Sequence, residues 1–153
     1  MSTSGGRRVA VLHGANLDQL GNRDPELYGT LTLGELEQRI NDRARELGLE
    51  ASCFQSNHEG DYIERLHSLR ANADAALLNP GAWTHYAWAI RDALEIAAVP
   101  AVEIHLSDVQ SREPWRRTSV IRELCFASVS GRGPDGYDDA LELIAERLGE
   151  GAT

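Results

Sequence analysis

Two short constellations in this chain of 153 residues carry side chains suited to moving protons. In Arg23-Asp-Pro25-Glu-Leu-Tyr28-Gly29 a phenol follows a guanidinium on one turn-rich stretch. A phenol is a poor base at its ordinary pKa near 10, and a neighbouring cation favours the phenolate. Arg23 has surface alternatives in Asp24 and Glu26. In Val102-Glu103-Ile104-His105-Leu106-Ser107, strand alternation puts Glu103, His105 and Ser107 on one face. A carboxylate beside an imidazole fixes its tautomer and supports its charged form, the arrangement wanted of a general acid. The competing reading is an inert polar pair at a strand end.

Composition removes several other chemistries. All 15 basic residues are arginine. Without lysine there is neither a Schiff base nor a Walker-A phosphate loop. None of the five histidines stands at H-x-x-x-H or Cys/His ligand spacing, so no metal site is expected. Cys53 and Cys125 lie in apolar runs and read as small buried hydrophobes. A formal charge of −9 argues against nucleic acid or an anionic membrane as partner. No apolar run approaches the roughly 20 residues of a membrane span. Residues 1–8, polar and Gly-rich, read as a disordered tail on a cytoplasmic protein.

The elements that must position these groups alternate along the chain. A β-branched run predicts a strand over 9–12, followed by a long aperiodic loop to Gly29 that carries Asn16, Arg23 and Tyr28. Thr32-Leu-Gly-Glu35 matches a capping box, and Leu36, Ile40, Ala44 and Leu47 recur at helical spacing up to Gly48. Strands are expected at 49–54, 75–78, 101–106 and near 125–130. Helices are expected around Ile63, Leu66 and Leu69, over 84–97, and from Gly133-Pro134 to Leu148. This order predicts an α/β domain over 9–149, with a doubly wound, five-stranded parallel sheet. Ligands of such sheets bind beyond the carboxyl ends of the strands. Asn16, the run 55–59, Asn79, and His105 with Ser107 all follow strand ends. Gly131-Arg-Gly-Pro-Asp-Gly136 matches G-x-G-x-x-G but lacks a following βαβ unit, and so reads as a tight turn.

Six motifs, in order, closely resemble the type II 3-dehydroquinate dehydratases. They are Gly14-x-Asn16-Leu17, Arg23-x-Pro25-x-x-Tyr28-Gly29, Gln55-Ser-Asn-His-Glu-Gly60, Asn79-Pro-Gly-Ala82-x-Thr84-His85, Glu103-x-His105-x-Ser107 and Arg112-Glu113. The resemblance implies a flavodoxin-like fold and the loss of water from 3-dehydroquinate to give 3-dehydroshikimate, with neither metal nor cofactor. It implies that Tyr28 takes the proton alpha to the ketone, held as phenolate by Arg23. Asn16, through a water, would stabilise the enolate, and His105, oriented by Glu103, would protonate the departing hydroxyl. Asn79, His85, Arg112 and Arg116 would hold substrate hydroxyls and the lid. The backbone at Leu106 and Ser107 would grip the carboxylate. The resemblance also implies trimers assembled into dodecamers, with Asp92 reaching a neighbour's site. The partners are then an anionic small molecule and further copies of the chain.

Departures from that pattern cluster before Gly21. Where the family usually reads Asn-Gly-Pro-Asn-Leu-Asn-Leu-Leu-Gly, this chain has His13-Gly-Ala15-Asn-Leu-Asp18-Gln19-Leu-Gly21. Ala15 frees a φ angle that Pro would fix, and Asp18 adds negative charge where an anion must bind. Both are expected to weaken binding of 3-dehydroquinate, unless Asp18 turns away or pairs with an arginine such as Arg112. Asp108 replaces a usual Asn, and Arg117-Thr118 a common His pair. Two rivals remain: a hydro-lyase acting on a related cyclohexane carboxylate, and a non-catalytic flavodoxin-like module, for example for FMN. Retention of Tyr28, Arg23 and His105 together favours an enzyme. A biosynthetic and a quinate-degrading role are equally compatible with the sequence.

Overall fold

The computed structural model describes residues 7–151. Arg8–His13 forms β1, buried from Val9 onward, which pairs in parallel with β2 (Glu50–Gln55) on one side and β3 (Ala75–Asn79) on the other. β4 (Ala101–His105) and β5 (Ala127–Ser130) extend the sheet in the order β2-β1-β3-β4-β5. That is the flavodoxin-like order, in which the chain switches direction of winding between β1 and β3. Of the stretch expected as a tail, residues 1–6 lie outside the described residues, while Arg8 opens β1 and bonds Asp74.

Alternation along β1 sends Val9 and Val11 to one apolar layer and Ala10 and Leu12 to the other. The first layer is completed by α2 (Leu33–Glu46) and α5 (Asp135–Gly151), through Leu36, Ile40, Tyr137, Leu141 and Ile144. The second is completed by α3 (Glu59–Asn72) and α4 (Trp88–Ala97), through Tyr62, Leu66, Ile90 and Leu94. Each fully buried leucine or isoleucine stabilises the fold by about 1.5–3 kcal/mol relative to exposure. α2 starts on the capping box that its sequence predicts: Glu35 N–H donates to Thr32 Oγ1, and Thr32 N–H donates to the Glu35 carboxylate. No helix among the described residues is long and apolar enough to cross a membrane.

Three elements differ from the periodicity. The loop after β1 contains a 3-10 turn (Leu17–Gln19) and a four-residue helix α1 (Pro25–Tyr28), capped by the Asp24 side chain and started by Pro25. The helix expected over 84–97 is broken. Gly81–His85 is a 3-10 turn, and α4 starts only at Trp88, because Thr84 gives its carbonyl to Val120 N–H and its hydroxyl to Glu103. β5 begins at Ala127, since Arg122–Leu124 forms a 3-10 turn immediately before it.

Candidate active site

The carboxyl ends of β1 and β3 are held together without room for side chains. Gly14 N–H donates to the Asn79 carbonyl at 2.8 Å. A Cβ on Gly14 would lie 2.3 Å from the Pro80 carbonyl oxygen, and one on Gly81 (φ +67°) would lie 2.7 Å from that of Ala15. Two loops therefore cross backbone to backbone, which only glycine permits at both points. Above this crossing lies a cavity of about 120 Å³. It is lined by Asn16, Arg23, Tyr28, Asn79, His85, His105, Leu106, Ser107, Arg112 and Arg116, together with Ala15, Leu17, Gly81, Ala82 and Val109. A larger cavity of about 500 Å³ lies between β2 and α3, among Arg8, Glu50, Phe54 and Arg65. It contains none of the acid–base pairs, so size alone does not mark the site.

Tyr28 enters the cavity from α1. Its oxygen accepts from Arg23 Nη2 at 2.9 Å and from Arg112 Nη1 at 2.7 Å, and the Arg23 guanidinium lies 3.7 Å over the ring. Arg112 Nη1 also donates to Ser107 Oγ at 3.1 Å, tying Tyr28 to the end of β4. Glu113 sits 3.7 Å from Arg112 Nε and accepts from Arg116 Nε at 3.0 Å, joining the two arginines.

From β4, His105 Nε2 lies 2.7 Å from Glu103 Oε2. Glu103 is fully buried and also accepts from Thr84 Oγ1 at 2.6 Å and Ser119 Oγ at 2.8 Å. Burial alone would raise its pKa. The hydrogen bonds from His105, Thr84 and Ser119 outweigh that and hold the carboxyl below the usual range. His85 stacks on His105 with ring centroids 6.2 Å apart, and Trp115 meets His85 edge-on at 5.2 Å. His85 Nδ1 lies 2.7 Å from the Thr118 carbonyl, which only accepts, so Nδ1 carries a proton. Desolvation, and secondarily His105 and Arg116, push its pKa below 6.5 against the Thr118 bond. The neutral ring therefore keeps a lone pair on Nε2 as an acceptor.

The remaining expected residues divide. Asn16, at φ 72°, donates its backbone N–H to Asn57 Oδ1 at 2.8 Å and is among the residues that line the cavity. Asn79 accepts at Oδ1 from Gly81 N–H at 3.2 Å, and its Nδ2 donates to Tyr137 Oη at 3.0 Å. The carbonyls of Leu106 and Ser107 accept from Gly133 and Gly131 N–H. That is what the Gly131–Gly136 motif does here. Asp92 is not brought to the cavity: it lies exposed on α4. The run after β2 scaffolds the loop, Gln55 Nε2 donating to the Gly14 carbonyl and to Asn57 Oδ1. Asn57 Nδ2 in turn donates to Asp18 Oδ2 at 3.1 Å, and Asp18 is not among the residues that line the cavity, which matches the alternative in which it turns away.

The family model "Dehydroquinase class II" matches residues 7–145. The chain belongs to the class II dehydroquinase family. The 3-dehydroquinate dehydratase of Thermotoga maritima is 48% identical over 143 residues, covering 94% of this chain and 98% of that protein. That of Syntrophotalea carbinolica is 49% identical over 140 residues, covering 91% and 93%. The type II dehydroquinase structure from Propionibacterium acnes superposes with a TM-score of 0.88 at 36% identity, covering 92% of this chain and 97% of that one.

Within this class II dehydroquinase, sequence reasoning missed Thr84, Ser119 and Tyr137. Thr84 stood inside a quoted motif without a role. Ser119 and Tyr137 gave no signal, because their partners lie far along the chain and a hydroxyl's reach leaves no periodicity.

Proposed function

We propose that this chain dehydrates 3-dehydroquinate, with Tyr28 as base and His105 as acid lining one cavity. The observation that carries the reading is that pairing: a phenol oxygen held by two guanidiniums and an imidazole backed by a buried carboxylate line the same cavity. Tyr28 Oη takes the proton alpha to the ketone, the C–H bond breaks, and its electrons pass into an enolate. Arg23 and Arg112 stabilise negative charge on the Tyr28 oxygen before the transfer. Asn16, through a water, stabilises the enolate. The enolate then collapses, the C–O bond breaks, and His105 gives its proton to the departing hydroxyl, which leaves as water. Glu103 keeps the imidazole oriented and supports its cationic form. Arg116, His85 as acceptor, Asn79 and the Leu106–Ser107 backbone hold the substrate's hydroxyls and carboxylate.

The same reading makes the enzyme a cytoplasmic homo-oligomer of trimers assembled into a dodecamer, in which the exposed Asp92 completes a neighbour's site. Adding 3-dehydroquinate to the purified protein tests the activity directly. The conjugated product should raise the ultraviolet absorbance, and a flat trace overturns the reading. Asp92→Ala, assayed alongside light scattering, should impair turnover in an intact assembly. A fully active monomer would remove the shared site.

A further inference from the structure

Beneath the cavity wall a line of buried polar groups has no part in the proton transfers above. His13 ends β1, is fully buried, and places Nε2 3.1 Å from the Tyr137 oxygen. Tyr137, fully buried in α5, accepts at that oxygen from Asn79 Nδ2 at 3.0 Å. Asn79 Oδ1 accepts from Gly81 N–H, and Asn79 itself lines the cavity.

The backbone partner fixes the amide of Asn79. A backbone N–H can only donate, so the atom of Asn79 facing Gly81 is Oδ1 and the one facing Tyr137 is Nδ2. Tyr137 therefore accepts from Asn79 and has one proton of its own to give. The neighbour positioned to take it is His13 Nε2. Nε2 must then be the bare nitrogen, and the ring proton must sit on Nδ1. His13 Nδ1 is itself buried with no hydrogen-bond partner. Burial lowers the pKa of His13 to about 4, so the ring stays neutral and the direction of the line does not reverse at ordinary pH.

We propose that His13 and Tyr137 are positioning residues that fix the amide of Asn79, so that its remaining donor and acceptor sites meet substrate in one orientation. Without the Tyr137 hydroxyl, the Asn79 amide keeps only Gly81 as a restraint. Without an acceptor at 13, the Tyr137 proton turns to Asn79 and competes with Nδ2. Where the family pattern has Asn at position 13, this chain sets its amide through a longer imidazole.

The proposal rests on the dehydration reading for its substrate, and its test separates the two. If wild type does not turn over 3-dehydroquinate, the functional reading fails. The line itself is still tested by nitrogen-15 NMR of wild type, which should show His13 protonated on Nδ1 and bare on Nε2. A proton on Nε2 overturns the proposal. With activity in hand, Tyr137→Phe keeps the ring in the core and should raise KM about tenfold, the scale of one lost hydrogen bond, with kcat within about twofold. His13→Leu should do the same, and His13→Gln, which retains an acceptor, should restore KM. In an Asn79→Ala background, Tyr137→Phe should add nothing further. Variants that lower the thermal midpoint with KM unchanged, or whose KM effects add to that of Asn79→Ala, would reduce His13 and Tyr137 to core packing.

Discussion

His105 reaches the cavity from the sheet, 7% exposed and backed by the fully buried Glu103, whereas Tyr28 reaches it half-buried from a four-residue helix between loops. The carboxylate is satisfied by Thr84, Ser119 and His105, all fixed by β4 or by segments packed on it. The phenol is held by Arg23 from its own loop and by Arg112 from a segment after β4. The side of the proposed acid is thus preorganised by the core, and on that proposal its chemistry and its contribution to stability share the same atoms. The side of the proposed base is assembled from loops, and there the two are separable.

The largest effect should separate them. Tyr28→Phe should lower turnover by about 10²–10⁴, the range of general acid–base groups, while leaving the thermal midpoint nearly unchanged. A comparable loss of stability would show that the base side is also part of the core. Glu103→Ala should show the opposite coupling: turnover falls, and chemical denaturation reports a loss of about 3–5 kcal/mol, because a buried hydrogen-bonded charge site loses one partner. A stability loss below about 1 kcal/mol would mean that solvent already reaches those atoms.

Acid titration sharpens the contrast further. His13 binds a proton at about 4 in the folded chain and at about 6.5 when free. Between those values the unfolded state holds more protons, so stability rises with pH, is full above 6.5 and is lost toward 4. The amount is about 3 kcal/mol. Glu103, held below the usual carboxylate range, contributes stability that is present above its ordinary value and is lost as pH falls through its lower folded value. His13→Gln should flatten the first part of this acid slope in urea titrations at a series of pH values, and an unaltered slope would place the lost protons elsewhere. The smallest effect belongs to the base-side loop. Asp18 is occupied by Asn57, outside the cavity, so Asp18→Asn should change KM by less than about twofold. A severalfold gain in affinity would show that its charge reaches the ligand after all.

The same contrast explains what the sequence disclosed. Period-two alternation made Glu103 and His105 readable as one face before any fold was known, because a strand's geometry is local. Arg23 beside Tyr28 was readable from their closeness along a single loop. The second donor to Tyr28 was not, since Arg112 lies 84 residues away. Nor was the break before α4 readable: Thr84 leaves the helix for Val120 and Glu103, a tertiary choice that overrides a sequence with helical periodicity. The direction of Asp18 depended in the same way on Asn57, 39 residues on. The parallel sheet followed from the order of elements, whereas its edges followed the ends of loops that only the packed chain defines.

Arg23, Arg112 and Arg116 all line the cavity of a chain whose formal charge is −9. An anion approaching from afar meets net repulsion, and it meets attraction only near the cavity. Added salt acts on these in opposite directions: it screens the distant repulsion first, then the local attraction as the Debye length shrinks from roughly 30 Å at 0.01 M to about 10 Å at 0.1 M. Encounter with an anionic ligand should therefore be fastest at an intermediate ionic strength, where the far field has faded and the near one has not.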